Sequence, residues 1–294
     1  MNIWAVFLPE EGLSEDAYES GLMLVDDESR TRIKRFYHKK DSYRCLLGRL
    51  LPRLLLRQHG VPVKEAELSR TSTGKPYVST PHLERTVGFN VSHDNEYVVM
   101  AFQTVALDAE KESSIQSKLE PQTKKKVVMD VTNIGIDVMK VALPRFEKSF
   151  PSFVQSISDT LTTLEQRTLL EISDPNDALQ RLYLVWTLKE AYTKALGLGL
   201  GFDFKRIEVD VNGHKITVDN NVPCGWEFIV FILKAPSGAI YQVAVARQSI
   251  QASSALDGHV EFRGVVDTSS DSDLSKWFRH YYAAPFISSC TADK

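Results

Sequence analysis

Apolar residues recur along this chain with two different periods, and the switches between them predict where it is strand and where it is helix. "NIWAVFL" near the start reads as a strand, and "SEDAYESGLMLVDDESRTRIKRF" reads as one or two helical segments with acids early and bases late. In "DSYRCLLGRLLPRLLLRQHG", Leu47, Leu50, Leu51, Leu54 and Leu55 form a stripe at helical spacing. Arg49, Arg53 and Arg57 recur at i, i+4 and i+8 in the same stretch, and Gly60 supplies a stop. Pro52 is expected to kink this helix, because its ring meets the Gly48 carbonyl and one hydrogen bond is lost. "TSTGKPYVS" follows as a turn, and "GFNVSH" and "YVVMAF" read as a hairpin around "DNE".

From about Gln103 to Asn133 the apolar period disappears, and "DAEKESSIQSKLEPQTKKK" is expected to be a mobile insertion. Beyond it "IGIDVMKV" is a strand, "FEKSFPSFVQSISDTLTTLEQRTLLEI" is largely helical, and "SDPNDALQRLYLVWTLKEAYTKA" is a long helix closed by "GLGLG". "RIEVDV", "KITV", "WEFIVFIL" and "IYQVAVARQ" are strands parted by "NG", "PCG" and "PSG" turns. The expected class is therefore α+β, each half a long helix packed on a small antiparallel sheet. The boundaries fall at 1–103 for the first half, 104–132 for the insertion and 133–250 for the second half. Residues 251–294 read as a tail, polar at first and aromatic later.

Composition narrows the function more than the fold. With 294 residues, 43% of them hydrophobic and 25% charged, the chain can bury one large core or two smaller ones. A net charge of −3 argues against a dedicated nucleic-acid binder. The one stretch that suggests such a module, "RTRIKRFYHKKDSYR", is equally a solvated helical face beside an anionic cofactor. Cys45, Cys224 and Cys290 are far apart and make no CxxC pair, so neither a disulfide framework nor a zinc site is indicated. No apolar run approaches bilayer-spanning length, and the N-terminus is unlike a secretory signal; a cytoplasmic protein is expected.

The long helix of the second half carries the first candidate chemistry. Val185, Leu188, Tyr192 and Ala195 make its apolar face, while Trp186, Lys189, Glu190, Thr193, Lys194 and Gly197 gather on another. Glu190 and Lys194 at i and i+4 are compatible with a plain surface ion pair. Asp137 in "GIDV" points away from the face of Ile136 and Val138, and with Glu190 it makes two carboxylates of the kind Mg²⁺ uses. Candidates for phosphate contacts lie in the first half: Arg49 on its helix, Arg70 and Lys75 around "RTSTGKP", and Ser92 with His93 in "NVSH". Taken singly, Arg49 reads as well as one tooth of a solvated face, Lys75 as a turn lysine and His93 as a satisfied strand-end histidine.

Order and wording go further. The succession "GRLLPR", "RTSTGKP", "FNVSHD", "GIDVMK" and "WTLKEAYTKALGLGLGF" resembles the 4′-phosphopantetheinyl transferases of the surfactin-type, two-half monomeric class, nearest to the eukaryotic members linked to aminoadipate-semialdehyde dehydrogenase. The resemblance runs from about Arg30 to Arg247. It implies transfer of phosphopantetheine from coenzyme A to a carrier-protein serine, with release of adenosine 3′,5′-bisphosphate. It implies two similar halves related by a pseudo-twofold, with coenzyme A in the cleft between them. On this resemblance Arg49, Arg70, Lys75, Ser92 and His93 hold the nucleotide and its phosphates, Asp137 and Glu190 hold Mg²⁺ or Mn²⁺, and Lys194 meets the pyrophosphate. Glu190, Lys194 and His93 are then the catalytic set, and Lys189 is left as a lesser candidate or a salt-bridge partner. Bacterial relatives carry a second acid where this chain has Met139, whose thioether is too soft to replace carboxylate oxygen on Mg²⁺. Carriers of fatty-acid synthesis, lysine synthesis, and polyketide or peptide synthetases are all compatible, and a non-catalytic coenzyme A or carrier binder of the same fold is the alternative.

Overall fold

In the computed structural model the described residues are 1–81, 83, 85–106, 133–198, 201–210, 212, 214–249, 258–269 and 276–291. Most of the stretch expected to be a mobile insertion lies outside them. The chain divides into two units, Met1–Thr132 with Asp271–Lys294, and Asn133–Ser270.

The first unit is built on a sheet in which β12 (Phe278–Tyr282), β1 (Asn2–Phe7), β5 (Tyr97–Ala106) and β4 (Arg85–Asp94) lie side by side in that order. Strand β1 (Asn2–Phe7) pairs antiparallel with β5 (Tyr97–Ala106), and β5 with β4 (Arg85–Asp94). The tight connection between β4 and β5 needs Asn95 in the left-handed region at φ 45°, a conformation Asn tolerates. Helices α1 (Glu15–Leu22) and α2 (Asp27–Lys34) start on Ser14 and Asp26, whose side chains cap backbone N–H groups at Ala17 and Ser29. Helix α3 (Lys39–Arg57) runs through Pro52 as one helix and sets Leu46, Leu47, Leu50 and Leu51 into a core with Trp4, Val98 and Met100. Each of these leucines is fully buried, worth about 1.5–3 kcal/mol apiece. A short ladder, β2 (Leu68–Arg70) with β3 (Pro76–Val78), holds the "TSTGK" turn, where Gly74 adopts φ +88°.

The second unit repeats the plan with a sheet in which β11 (Val260–Asp267), β9 (Trp226–Lys234), β10 (Ile240–Gln248) and β6 (Ile134–Lys140) lie side by side in that order. Strands β6 (Ile134–Lys140), β10 (Ile240–Gln248) and β9 (Trp226–Lys234) are antiparallel neighbours. Helices α4 (Phe150–Ser156) and α5 (Thr163–Leu170) precede α6 (Pro175–Leu196), and a hairpin of β7 (Ile207–Asp210) and β8 (Lys215–Val218) follows. Asp174 caps α6, Pro175 opens it where no N–H is needed, and Gly197 ends it at φ 71°.

Two expectations change here. The sheets are mixed rather than antiparallel, because β12 (Phe278–Tyr282) lies parallel to β1 and β11 (Val260–Asp267) parallel to β9. Residues 251–294 are accordingly more than a tail: β11 completes one sheet, β12 the other, and α7 (Ala283–Thr291) places Phe286, Ile287 and Cys290 in the first core.

Candidate active site

The strand carrying Asp137 and the helix carrying Glu190 and Lys194 meet at a glycine. A Cβ on Gly135 would overlap the Ala191 carbonyl oxygen and stand 2.5 Å from the Ala195 nitrogen, so the glycine of "GID" lets α6 lie directly against β6. That approach brings Lys194 Nζ to 2.6 Å from Asp137 Oδ1. Asp137 is 4% exposed. Glu190, four residues before Lys194, is half-buried. Burial lifts its carboxyl above the usual carboxylate range; the Lys194 charge opposes the lift and the Asp137 charge adds to it. Two carboxylates in electrostatic reach of one another and one ammonium therefore form a polar island on the buried helix–strand contact. Met139 belongs to the half-buried rim of the adjoining core.

Lys189, read beside Glu190 on the same face, goes elsewhere. Its side chain is 1% exposed and its Nζ donates to Glu165 Oε2 at 2.6 Å, the Thr160 carbonyl at 2.9 Å and the Phe204 carbonyl at 3.1 Å. Glu165 is equally occupied, accepting from Val209 N at 2.8 Å through Oε1 and from Thr162 N at 2.8 Å through Oε2. Burial pushes Glu165 up and Lys189 down, and each is opposed by the other. This is an internal brace, not part of the polar island, and the polar face of the helix is two faces.

In the first unit Arg49, Arg70 and His93 line one cavity of about 200 Å³. Arg32, Arg44 and Cys45 share its wall and were missed from sequence. For Arg44 a signal existed in Asp41, three residues earlier, which holds the guanidinium at 2.6 Å while the Asn95 carbonyl accepts from it at 2.7 Å. Burial lowers the pKa of Arg70, and the charges of Arg49 and Arg32 lower it further. Crowded arginines of this kind are relieved by an anion. Ser92 is buried on β4 between Val91 and His93, which line the cavity, and it is not itself part of the lining. Lys75 closes the "TSTGK" turn, its N–H donating to Thr71 Oγ1 at 3.1 Å, and burial pushes its ammonium down to about 8. Among the described residues no cluster of three or more His, Cys, Asp and Glu side chains assembles as a metal centre.

The arginine-lined cavity of the first unit is compatible with an anion, and the carboxylate pair of the second with a cation. Comparison with known proteins names the chemistry. Residues 13–105 match the family model described as 4′-phosphopantetheinyl transferase, N-terminal, and residues 133–246 match the 4′-phosphopantetheinyl transferase superfamily. The chain belongs to this superfamily. It is 39% identical to the 4′-phosphopantetheinyl transferase pptA of Paxillus involutus, over 84% of this chain and 87% of that protein. It is 31% identical to the L-aminoadipate-semialdehyde dehydrogenase-phosphopantetheinyl transferase of Mus musculus, over 64% of this chain but about half, 53%, of that protein. The 4′-phosphopantetheinyl transferase Sfp of Bacillus subtilis is 25% identical over 76% of this chain and 84% of its own length.

As a phosphopantetheinyl transferase the chain is an enzyme, with coenzyme A as cosubstrate and carrier proteins as acceptors. All three named relatives are called transferases, so the non-catalytic binder gains no support. Among the described residues no helix is long and apolar enough to cross a membrane.

Proposed function

We propose that the chain transfers 4′-phosphopantetheine in a metal-dependent reaction in which Asp137 and Glu190 hold Mg²⁺, or Mn²⁺ in its place. The donor set suits a hard cation: two carboxylates, one of them 4% exposed, with one ammonium against them and no soft donor required. Two protein carboxylates are a sufficient protein share for Mg²⁺, which keeps waters and takes substrate phosphate oxygens. Bound there, the ion would neutralise charge on the pyrophosphate.

The chain's own groups do the rest. Arg49, Arg70 and Lys75 bind the phosphates of coenzyme A, His93 stands with the two arginines on the first-unit cavity, and Lys194 adds positive charge where the leaving adenosine bisphosphate becomes more negative. Ser92, buried on the strand beside His93, completes the contact with the nucleotide in this reading. Glu190 takes the proton of the carrier serine as its oxygen bonds to the phosphorus that carries pantetheine and the bond to the nucleotide phosphate breaks. The contact that carries this reading is Asp137–Lys194 with Glu190 beside it.

The likeness to aminoadipate-linked relatives supports a carrier domain of an aminoadipate-reducing enzyme in lysine synthesis among the acceptors, alongside fatty-acid and polyketide or peptide carriers. Free thiols at Cys45, Cys224 and Cys290 support a reducing, cytoplasmic setting, and the family likeness supports a monomer. Incubation with coenzyme A and a panel of apo carriers, read as a phosphopantetheine mass gain, tests the reading. The gain should vanish on chelation and return with Mg²⁺ or Mn²⁺; undiminished transfer after thorough chelation rules out the metal.

A further inference from the structure

The arginines at i, i+4 and i+8 on α3 are not one solvated face. Arg57 Nη1 donates to the Ser289 carbonyl at 2.6 Å and so ties α3 to α7. Arg49 enters the anion cavity. Arg53, between them, is 4% exposed, and its two terminal nitrogens are both committed: Nη2 to Asp26 Oδ2 at 2.7 Å, Nη1 to the Arg49 carbonyl at 3.0 Å.

Asp26 does more than cap α2. Its Oδ1 takes the Ser29 N–H at 2.7 Å, which is the capping bond, and its Oδ2 takes the Ser29 hydroxyl, also at 2.7 Å. A hydroxyl that has given its one proton to a carboxylate offers only lone pairs to any further partner. Arg49 Nη1 donates into them at 2.9 Å. Ser29 is 2% exposed, so water does not compete freely for that oxygen.

We propose that Asp26, Ser29 and Arg53 are positioning residues that fix the Arg49 guanidinium in the anion cavity before coenzyme A arrives. The proposal rests on the assignment of Arg49 to the phosphates. A guanidinium has five N–H donors; one held by Ser29 sets the plane of the group and leaves the others for phosphate oxygens. A side chain ordered in advance loses less freedom on binding, which appears as affinity. Arg53 has its own part. An unpaired Asp26 carboxylate would draw Arg49 out of the cavity and repel a phosphate, and the ion pair with Arg53, buried on the arginine side while Asp26 stays half exposed, takes up that charge. Helix capping alone requires neither the Ser29 hydroxyl nor Arg53.

Ser29→Ala separates the two roles, because it keeps the capping N–H and removes the acceptor for Arg49. Thermal unfolding by circular dichroism, calorimetric binding of coenzyme A and transfer kinetics are measured on Ser29→Ala, Ser29→Thr, Arg49→Ala and the Ser29→Ala/Arg49→Ala pair. Ser29→Ala should weaken coenzyme A binding and raise its KM about tenfold, with kcat within about twofold and the carrier KM unmoved. Ser29→Thr should restore affinity, and the double variant should bind no worse than Arg49→Ala alone. Normal coenzyme A affinity in Ser29→Ala beside a weakened Arg49→Ala overturns the positioning role and leaves the phosphate assignment intact. Equal losses for coenzyme A and carrier, or additive losses in the double variant, overturn it as well. Normal affinity in Arg49→Ala removes the assignment of Arg49 itself, and the positioning role with it.

Discussion

Lys194 Nζ lies 2.6 Å from Asp137 Oδ1, so the ammonium proposed to meet the pyrophosphate rests on a carboxylate proposed to hold the metal. The two assignments are compatible if the lysine exchanges partners when the substrate arrives. Beside Asp137 it neutralises a buried carboxylate that would otherwise cost several kcal/mol.

That exchange predicts effects of opposite sign from one substitution. Lys194→Met should lower transfer by about 10²–10³-fold, because charge stabilisation at the leaving group is lost. The same variant should bind Mn²⁺ without coenzyme A at least as tightly as the parent, since the competitor for Asp137 is gone. Electron paramagnetic resonance of free Mn²⁺ reads the second quantity. Weaker Mn²⁺ binding would show that Lys194 supports the metal position instead of competing for it.

Lys189 predicts a stability effect. Removing one partner of a buried, fully hydrogen-bonded pair leaves an uncompensated charge, so Lys189→Met should cost about 3–5 kcal/mol in denaturant unfolding. Glu165→Leu/Lys189→Met should cost less than the sum of its single changes, although the Thr162 cap is lost with Glu165. Strict additivity would mean that the pair is not coupled.

Much of the architecture was legible because the hydrophobic period is strong. The leucines of α3, the alternation of β6 and the ends of α6 at Pro175 and Gly197 are all local signals. What was not legible is non-local. β11 and β12 join their sheets by parallel pairing with strands distant in the chain, and β11 carries Gly264 and a register shift between Phe262 and Val265 that blur its alternation. Lys189 shows the same limit within the site: its helical position groups it with Glu190, and only a capping glutamate 24 positions earlier sends it inward. Thr162 and Glu165 form a capping box, and the local pattern does not reveal that the same glutamate has Lys189 as a second partner. Asp137, Glu190 and Lys194 were found from motif wording, whereas Arg32 and Arg44 came together with Arg49 only through packing.

Gly135 links fold to chemistry, and its substitution should damage both. Alanine there overlaps the Ala191 carbonyl, a backbone atom that cannot move aside alone, so α6 must shift away from β6. We expect a loss of about 2 kcal/mol or more in stability. Transfer should fall further than the unfolded fraction explains, because the 2.6 Å contact between Lys194 and Asp137 depends on that approach. Transfer measured well below the unfolding midpoint distinguishes the two effects, and full activity there would separate the glycine from the site.

Lys75 predicts a pH dependence. Burial pushes its ammonium down to about 8, so it is charged below that pH and loses its proton as pH rises through it. An amine without charge gives a phosphate one weak hydrogen bond in place of an ion pair. For coenzyme A, kcat/KM reports free-enzyme ionisations and should decline as pH rises through about 8, while the carrier KM stays level. The 3′-phosphate of the cosubstrate titrates near pH 6, roughly two units lower, and is not mistaken for this limb. Lys75→Arg keeps its charge throughout and should abolish the decline. Lys75→Met should bind coenzyme A weakly at every pH, with no limb near 8. A decline that persists unchanged in both variants would belong to another group and withdraw Lys75 from the phosphate site.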